Sequence, residues 1–155
     1  MANFAFNIAK GRVVELYNRV ENNDPTNCAF ILVPLSASGT EAQGQDLADL
    51  AAVEADANFA ERTTGGWVRK TLESAELAAF PSPDNGNNRY DVSLPQVTWT
   101  TPAAGNNTTG LLVCYDADTT AGADSAIIPL GHYDFAVTTD GNNVVLNSGV
   151  FWRAS

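Results

Sequence analysis

The stretch Asn88-Arg89-Tyr90-Asp91-Val92-Ser93-Leu94-Pro95-Gln96-Val97-Thr98-Trp99-Thr100 constrains this chain more than any other. It follows a turn signal, Asp84-Asn85-Gly86-Asn87, and alternates polar and apolar residues. Successive side chains of an extended chain point to opposite faces, so Tyr90, Val92 and Leu94 share one side while Arg89, Asp91 and Ser93 share the other. Pro95 cannot donate to a strand ladder and interrupts the run; Val97 and Trp99 resume the apolar alternation beyond it. The pattern predicts a strand, a kink and a second short strand, with Trp99 as a core anchor. Segments 111–118, 126–135 and 144–152 are its expected partners in one sheet system.

The other segments supply the rest of a β-rich fold. Val13, Leu16, Tyr17 and Val20 follow helical spacing within residues 8–21, with Lys10, Arg12, Glu15, Asn18 and Arg19 on other faces. Gly11 weakens the first turn of that helix, and Asn22-Asn23-Asp24-Pro25 ends it. Ala29-Phe30-Ile31-Leu32-Val33 reads as a strand buried on both faces or lying under the helix, followed by a loop over 36–40. Leu47, Leu50, Ala51 and Glu54 place a second helix over 45–54, and its acidic residues form a solvated face. Trp67 to Leu72, Leu111 to Tyr115, Ala126 to Leu130 and Tyr133 to Val137 read as strands. Asp140-Gly141 is a hairpin signal, and Val144–Asn147 with Val150–Trp152 makes the last pair. The expected fold is an α+β, β-rich single domain over residues 1–155. It is an antiparallel β-sandwich or barrel-like domain with an N-terminal helix and a second short helix. Residues 1–60 form a helix–strand–helix portion and 61–155 are mostly antiparallel β. Trp67, Trp99, Tyr115, Phe135 and Trp152 are its expected core anchors.

Charge narrows the partners. With 18 acidic against 8 basic residues the net charge is −10, which disfavours nonspecific binding to nucleic acid or to an anionic membrane. No basic, apolar secretory leader is visible at Met1–Asn7, and the longest apolar run, Cys28 to Leu35, is too short to span a bilayer. Cys28 and Cys114 lie in separate apolar segments and read as free buried thiols.

No reaction chemistry is visible. Asp116, Asp118 and Asp124 have the oxygen ligands of a calcium loop but not its spacing, and an Asx-rich hairpin loop is the better reading. His132 stands alone and reads as a strand-edge residue, and no serine has an elbow context. Thr64-Gly65-Gly66 lacks the phosphate-loop pattern, and the Asn-x-Thr triplets at Asn106 and Asn107 are turn residues. Trp67, Trp99 or Trp152 on a concave face would instead suit a carbohydrate-binding module. No catalytic residue, metal or cofactor is expected.

Arg89-Tyr90-Asp91-Val92 at a strand start, then Val97-Thr98-Trp99-Thr100, Leu111 to Asp116, Ile128-Pro129-Leu130, Thr138 to Gly141 and a last strand with Gly149, Phe151 and Arg153 form an ordered set. Together with Ala9-Lys10-Gly11-Arg12-Val13 this set resembles small structural proteins of tailed bacteriophages, over most of residues 1–35 and 84–155. The chain departs from the commoner "D-D-V-T-W" form by carrying Leu94-Pro95-Gln96 before Val97. The resemblance implies a virion component, above all a decoration (cement) protein on the outer capsid surface. It implies the major capsid protein as partner and a homo-oligomer, with a trimer favoured. A tail, collar or fibre-associated role is the alternative. The N-terminal segment is the expected part of the interface, with Phe4, Phe6 and Arg12 as contacts, because its phenylalanines would otherwise be exposed apolar area.

Overall fold

A computed structural model describes residues 2–155. The element order begins with strand β1 (Phe4–Ala5), helix α1 (Val13–Glu21), strand β2 (Ala29–Ala37), helices α2 (Glu41–Gly44) and α3 (Leu50–Ala55), and strands β3 (Ala60–Glu61) and β4 (Lys70–Leu72). Strands β5 (Tyr90–Leu94), β6 (Val97–Trp99) and β7 (Thr108–Asp116) follow, then a 3-10 turn at Asp124–Ala126 and strands β8 (Ile128–Val137), β9 (Val144–Leu146) and β10 (Gly149–Ala154). All pairing is antiparallel: a six-stranded sheet of order β1-β8-β7-β2-β3, with β4 also on β2, and two two-stranded ribbons, β5–β10 and β6–β9.

The apolar run at β2 is buried on both faces because its side chains alternate between two cores. Phe30 and Leu32 enter the first core with Leu111, Val113 and Tyr115 of β7. Ile31, Val33 and Leu35 enter the second with Leu112 and Cys114. The first face is covered by α1 and both ribbons, so the strand–kink–strand segment delivers Val92, Leu94, Val97 and Trp99 to one core from two different ribbons. The second face is covered by α3, Phe59 and the N-terminal arm.

Several elements differ from expectation for local reasons. Helix α1 starts at Val13 and not at residue 8, because Gly11 sits at φ +80°, a left-handed conformation that a helix cannot pass through. The helix expected over 45–54 forms only from Leu50, as α3, and a separate short helix, α2, precedes that span. Thr40 and Gln43 cap α2 reciprocally, and the Asp49 carboxylate starts α3 by accepting from Ala52 N at 2.8 Å. Segments 126–130 and 133–137 merge into the single strand β8, and the loop expected over 36–40 begins only after Ala37. Trp67 precedes β4 in an irregular stretch. Its indole N–H donates to Asn106 O at 2.7 Å. The last two strands do not pair with each other: β9 lies on β6 and β10 on β5. Asp140-Gly141 forms an Asx turn, with Asn142 N donating to Asp140 Oδ1 at 3.0 Å, but no hairpin: the strand after it, β9, pairs with β6 and not with β8.

Trp67, Trp99 and Tyr115 are buried, and Phe135 and Trp152 are half-buried at the edge of the first core. Trp67, Trp99 and Phe135 form one aromatic group, with centroids 5.2 Å apart for the two indoles and 5.6 Å for Trp99–Phe135. The Trp99 indole N–H is satisfied by Val68 O at 2.9 Å, so the ring enters the core with no unpaired donor. Trp99→Ala is expected to destabilise the fold by about 3–5 kcal/mol, as other deletions of buried aromatics do. Urea unfolding monitored by circular dichroism checks this; a loss below about 1 kcal/mol would show that Trp99 does not anchor the ribbons.

Candidate functional site

The three expected contact residues part company. Phe4 and Phe6 are buried in the second core, their rings 5.2 Å apart, and so are not the exposed apolar area expected of them. The alternation Phe4-Ala5-Phe6 makes an edge strand on β8, which turns both rings toward α3 and Phe59. A partner cannot reach them while the arm is docked. Arg12 is exposed, just before the first residue of α1, and makes no ion pair or side-chain hydrogen bond among the described residues. It lies at the mouth of a groove of about 430 Å³. Leu16, Tyr115 and Ile128 form the groove's apolar part, and Glu15 and Arg19, paired at 3.1 Å, form its polar rim. Lys10 and Arg12 precede α1 and Arg19 stands in its last turn, so three of only 8 basic residues lie on or just before this helix. Such a groove can take an apolar side chain flanked by a carboxylate.

A second polar cluster joins three elements to the stretch just before β4. The Arg69 guanidinium donates to both oxygens of Glu61 (Nε–Oε1 3.0 Å, Nη2–Oε2 2.7 Å), to Asp124 (Nη1–Oδ1 2.6 Å) and to Glu54. One cation thus faces three carboxylates in a half-buried space. Burial, then the neighbouring Glu61 carboxylate, pushes Glu54 up to about 7, against the pull of Arg69. Asp124, hydrogen-bonded by Arg69, is held below the usual carboxylate range. Arg69 lies 55 residues from Asp124 and 15 from Glu54, and no local pattern in the sequence marks it.

Asp116, Asp118 and Asp124 do not act together. Asp116 is buried and accepts from Asp118 N, Asp118 accepts from Thr120, and Asp124 serves Arg69. Among the described residues no group of three or more His, Cys, Asp or Glu could hold a metal ion. Cys28 and Cys114 are free and buried on opposite faces of the sheet, and burial raises both thiols. His132 is not at a strand edge: it is buried in β8, between β1 and β7. Trp67 and Trp99 are unavailable for stacking on a sugar, whereas half-buried Trp152 lines a cavity of about 330 Å³ with Val13, Val14 and Arg153.

No protein-family model, curated protein or solved structure matches this chain.

The Arg69 cluster has a definite pH signature. Glu54 titrates near 7 in the fold against 4.5 ordinarily, so between these values the folded state holds a proton that the unfolded chain has lost. Ionising Glu54 therefore costs stability as pH rises through that window. Glu54→Gln keeps the neutral form, and its melting temperature relative to wild type is expected to be higher at pH 8.5 than at pH 5. A difference that does not change with pH would refute the assignment.

Proposed function

We propose that this chain is a non-enzymatic structural protein of a tailed-bacteriophage virion. In this reading it binds the outer surface of the capsid shell and stabilises it as a decoration, or cement, protein. Its partner is the major capsid protein, and the unit that docks is a homotrimer. The observation that carries the reading is the position of the motifs behind the resemblance. Val97 and Trp99, Leu111, Val113 and Tyr115, and Leu130 all belong to the first core. They therefore serve a scaffold, consistent with a protein whose task is to be a stable body on a surface. The groove beside Arg12 supports a docking role because it offers a cation with no ion pair among the described residues, over an apolar floor, on an acidic protein. Its occupant in this reading is a segment of the capsid protein that presents a carboxylate beside an apolar side chain. Phe4 and Phe6 are no part of that contact.

Co-sedimentation with capsid shells that lack the protein tests the reading. Binding is expected to saturate at a simple ratio to the major capsid protein and to weaken with salt, as charge pairing does. Arg12→Glu is expected to lower the affinity about tenfold or more, the scale of reversing one rim charge against an acidic partner. Failure of the wild-type protein to sediment with shells would overturn the proposal. Binding to a collar or tail preparation would move the protein to that part of the particle, and binding to glycan that is lost in Trp152→Ala would replace the structural role with a carbohydrate-binding one.

A further inference from the structure

His132 is fully buried, and neither of its ring nitrogens has a hydrogen-bond partner. Buried polar groups are nearly always paired, so an imidazole unpaired at both nitrogens calls for a reason. Its surroundings are apolar above and tight below. The Phe4 ring of β1 stacks on it, centroids 5.0 Å apart and planes 14° from parallel, and Phe59 meets it edge-on at 6.4 Å. Beneath it lies Gly110 of β7, where a Cβ would come within 2.4 Å of both His132 Nε2 and Ser38 Oγ. The strand can pass there only as glycine. The Ser38 and Thr109 hydroxyls bond to each other at 2.9 Å and leave the imidazole unserved.

The element that closes this pocket is short and lies at the edge of the sheet. Strand β1 pairs with β8 at two positions, Phe4 with His132 and Ala5 with Gly131. Phe6 N→Leu130 O at 3.1 Å, Asn7 N→Gln45 O at 2.7 Å and Asp134 N→Asn3 Oδ1 at 2.7 Å complete its hydrogen bonds. Two paired residues at a sheet edge are the kind of unit that opens separately from the rest of a fold.

We propose that His132 is an acid-sensitive latch: gaining a proton beneath Phe4 releases residues 2–6 from the edge of β8 while β2 and β7 stay paired. A neutral imidazole is tolerated between two aromatic rings, but an imidazolium there is a buried charge between apolar faces, with only the Ala2 backbone as a polar group favouring it. Burial accordingly lowers its affinity for a proton. The charged groups acting on it are Asp134, farther along β8, and the amino terminus. Asp134 and the Ala2 backbone favour the proton, the amino terminus opposes it, and burial outweighs them. From Phe4, Phe59, Ser38, Thr109 and Gly110 the ring meets no charge. The docked arm therefore disfavours the proton and the released arm admits it. The sign follows: the docked form is favoured above the ordinary histidine value of 6.5 and is lost as pH falls below it. Release uncovers Phe4, Phe6 and the backbone of β8 at 130–132.

Nuclear magnetic resonance on the whole chain tests this by following the Phe6 amide and the His132 imidazole from pH 7.5 to 5. One coupled proton gives up to about tenfold loss of Phe6 protection per pH unit, after correction for intrinsic exchange. Amides of β2 and β7 are expected to keep theirs, and His132→Leu is expected to abolish the dependence with the arm docked at pH 5. The proposal is overturned if Phe6 protection is flat in the wild type, if β2 and β7 open in step with it, or if His132→Leu loses the arm with the same pH profile. Should that variant not fold, the wild type decides alone. The imidazole must titrate together with arm release, and protonation with Phe6 still protected rejects the latch.

Discussion

The structure depends on β2 being buried on both faces. A strand in that position has no side exposed to water, so it needs an apolar layer on each face and a hydrogen-bonded neighbour along each edge. Strand β7 fills one edge over Ala29–Leu35, and β4 and β3 share the other. Pro34 is tolerated in this central strand because of that shared edge. Its carbonyl accepts from Arg62 N at 2.8 Å on the β3 side. The N–H and C=O of one strand residue point the same way, so the donor that proline lacks is missing on that side and not toward β7. The changeover from Lys70 opposite Leu32 to Glu61 opposite Leu35 falls around this residue.

The two faces are finished by different means. On the first, a helix and two ribbons converge on Trp67, Trp99 and Phe135, and the indole donors end on backbone carbonyls, which lets large rings enter without an unpaired polar atom. On the second, the cover is short: α3, Phe59 and a two-residue strand. Arg69 compensates in part, tying α3, β3 and the turn at Asp124–Ala126 to one guanidinium. The unpaired imidazole lies on this second side, against Phe4 of the short strand and Phe59.

What could be read in advance was whatever repeats over short distances. The alternation of Tyr90, Val92 and Leu94, the break at Pro95 and the resumption at Val97 and Trp99 correspond to β5 and β6. The run at Ala29 to Val33 and the helical spacing of Val13, Leu16, Tyr17 and Val20 were equally plain, and the β-rich α+β class follows from them. Long-range choices were not legible. Nothing local says that β9 prefers β6 to its sequence neighbour β10, because both are short and apolar and pairing is decided by which ribbon can lie on the first core. Phe4 and Phe6 looked like loose apolar residues in a polar segment, although their period of two is also that of an edge strand. His132 and Arg69 gave no signal, since the burial of one and the carboxylates of the other come from segments far away in the chain.

The functional account makes the protein a scaffold with a docking edge at Arg12, repeated over a capsid. Its central claim is one of number, because a shell-covering protein must be present in proportion to the shell. The most direct measurement is quantitative mass spectrometry of purified particles made by the genome that encodes this chain, with copy number set against the major capsid protein. The account predicts a ratio near one or a simple fraction of it. A handful of copies per particle, or none, would contradict it.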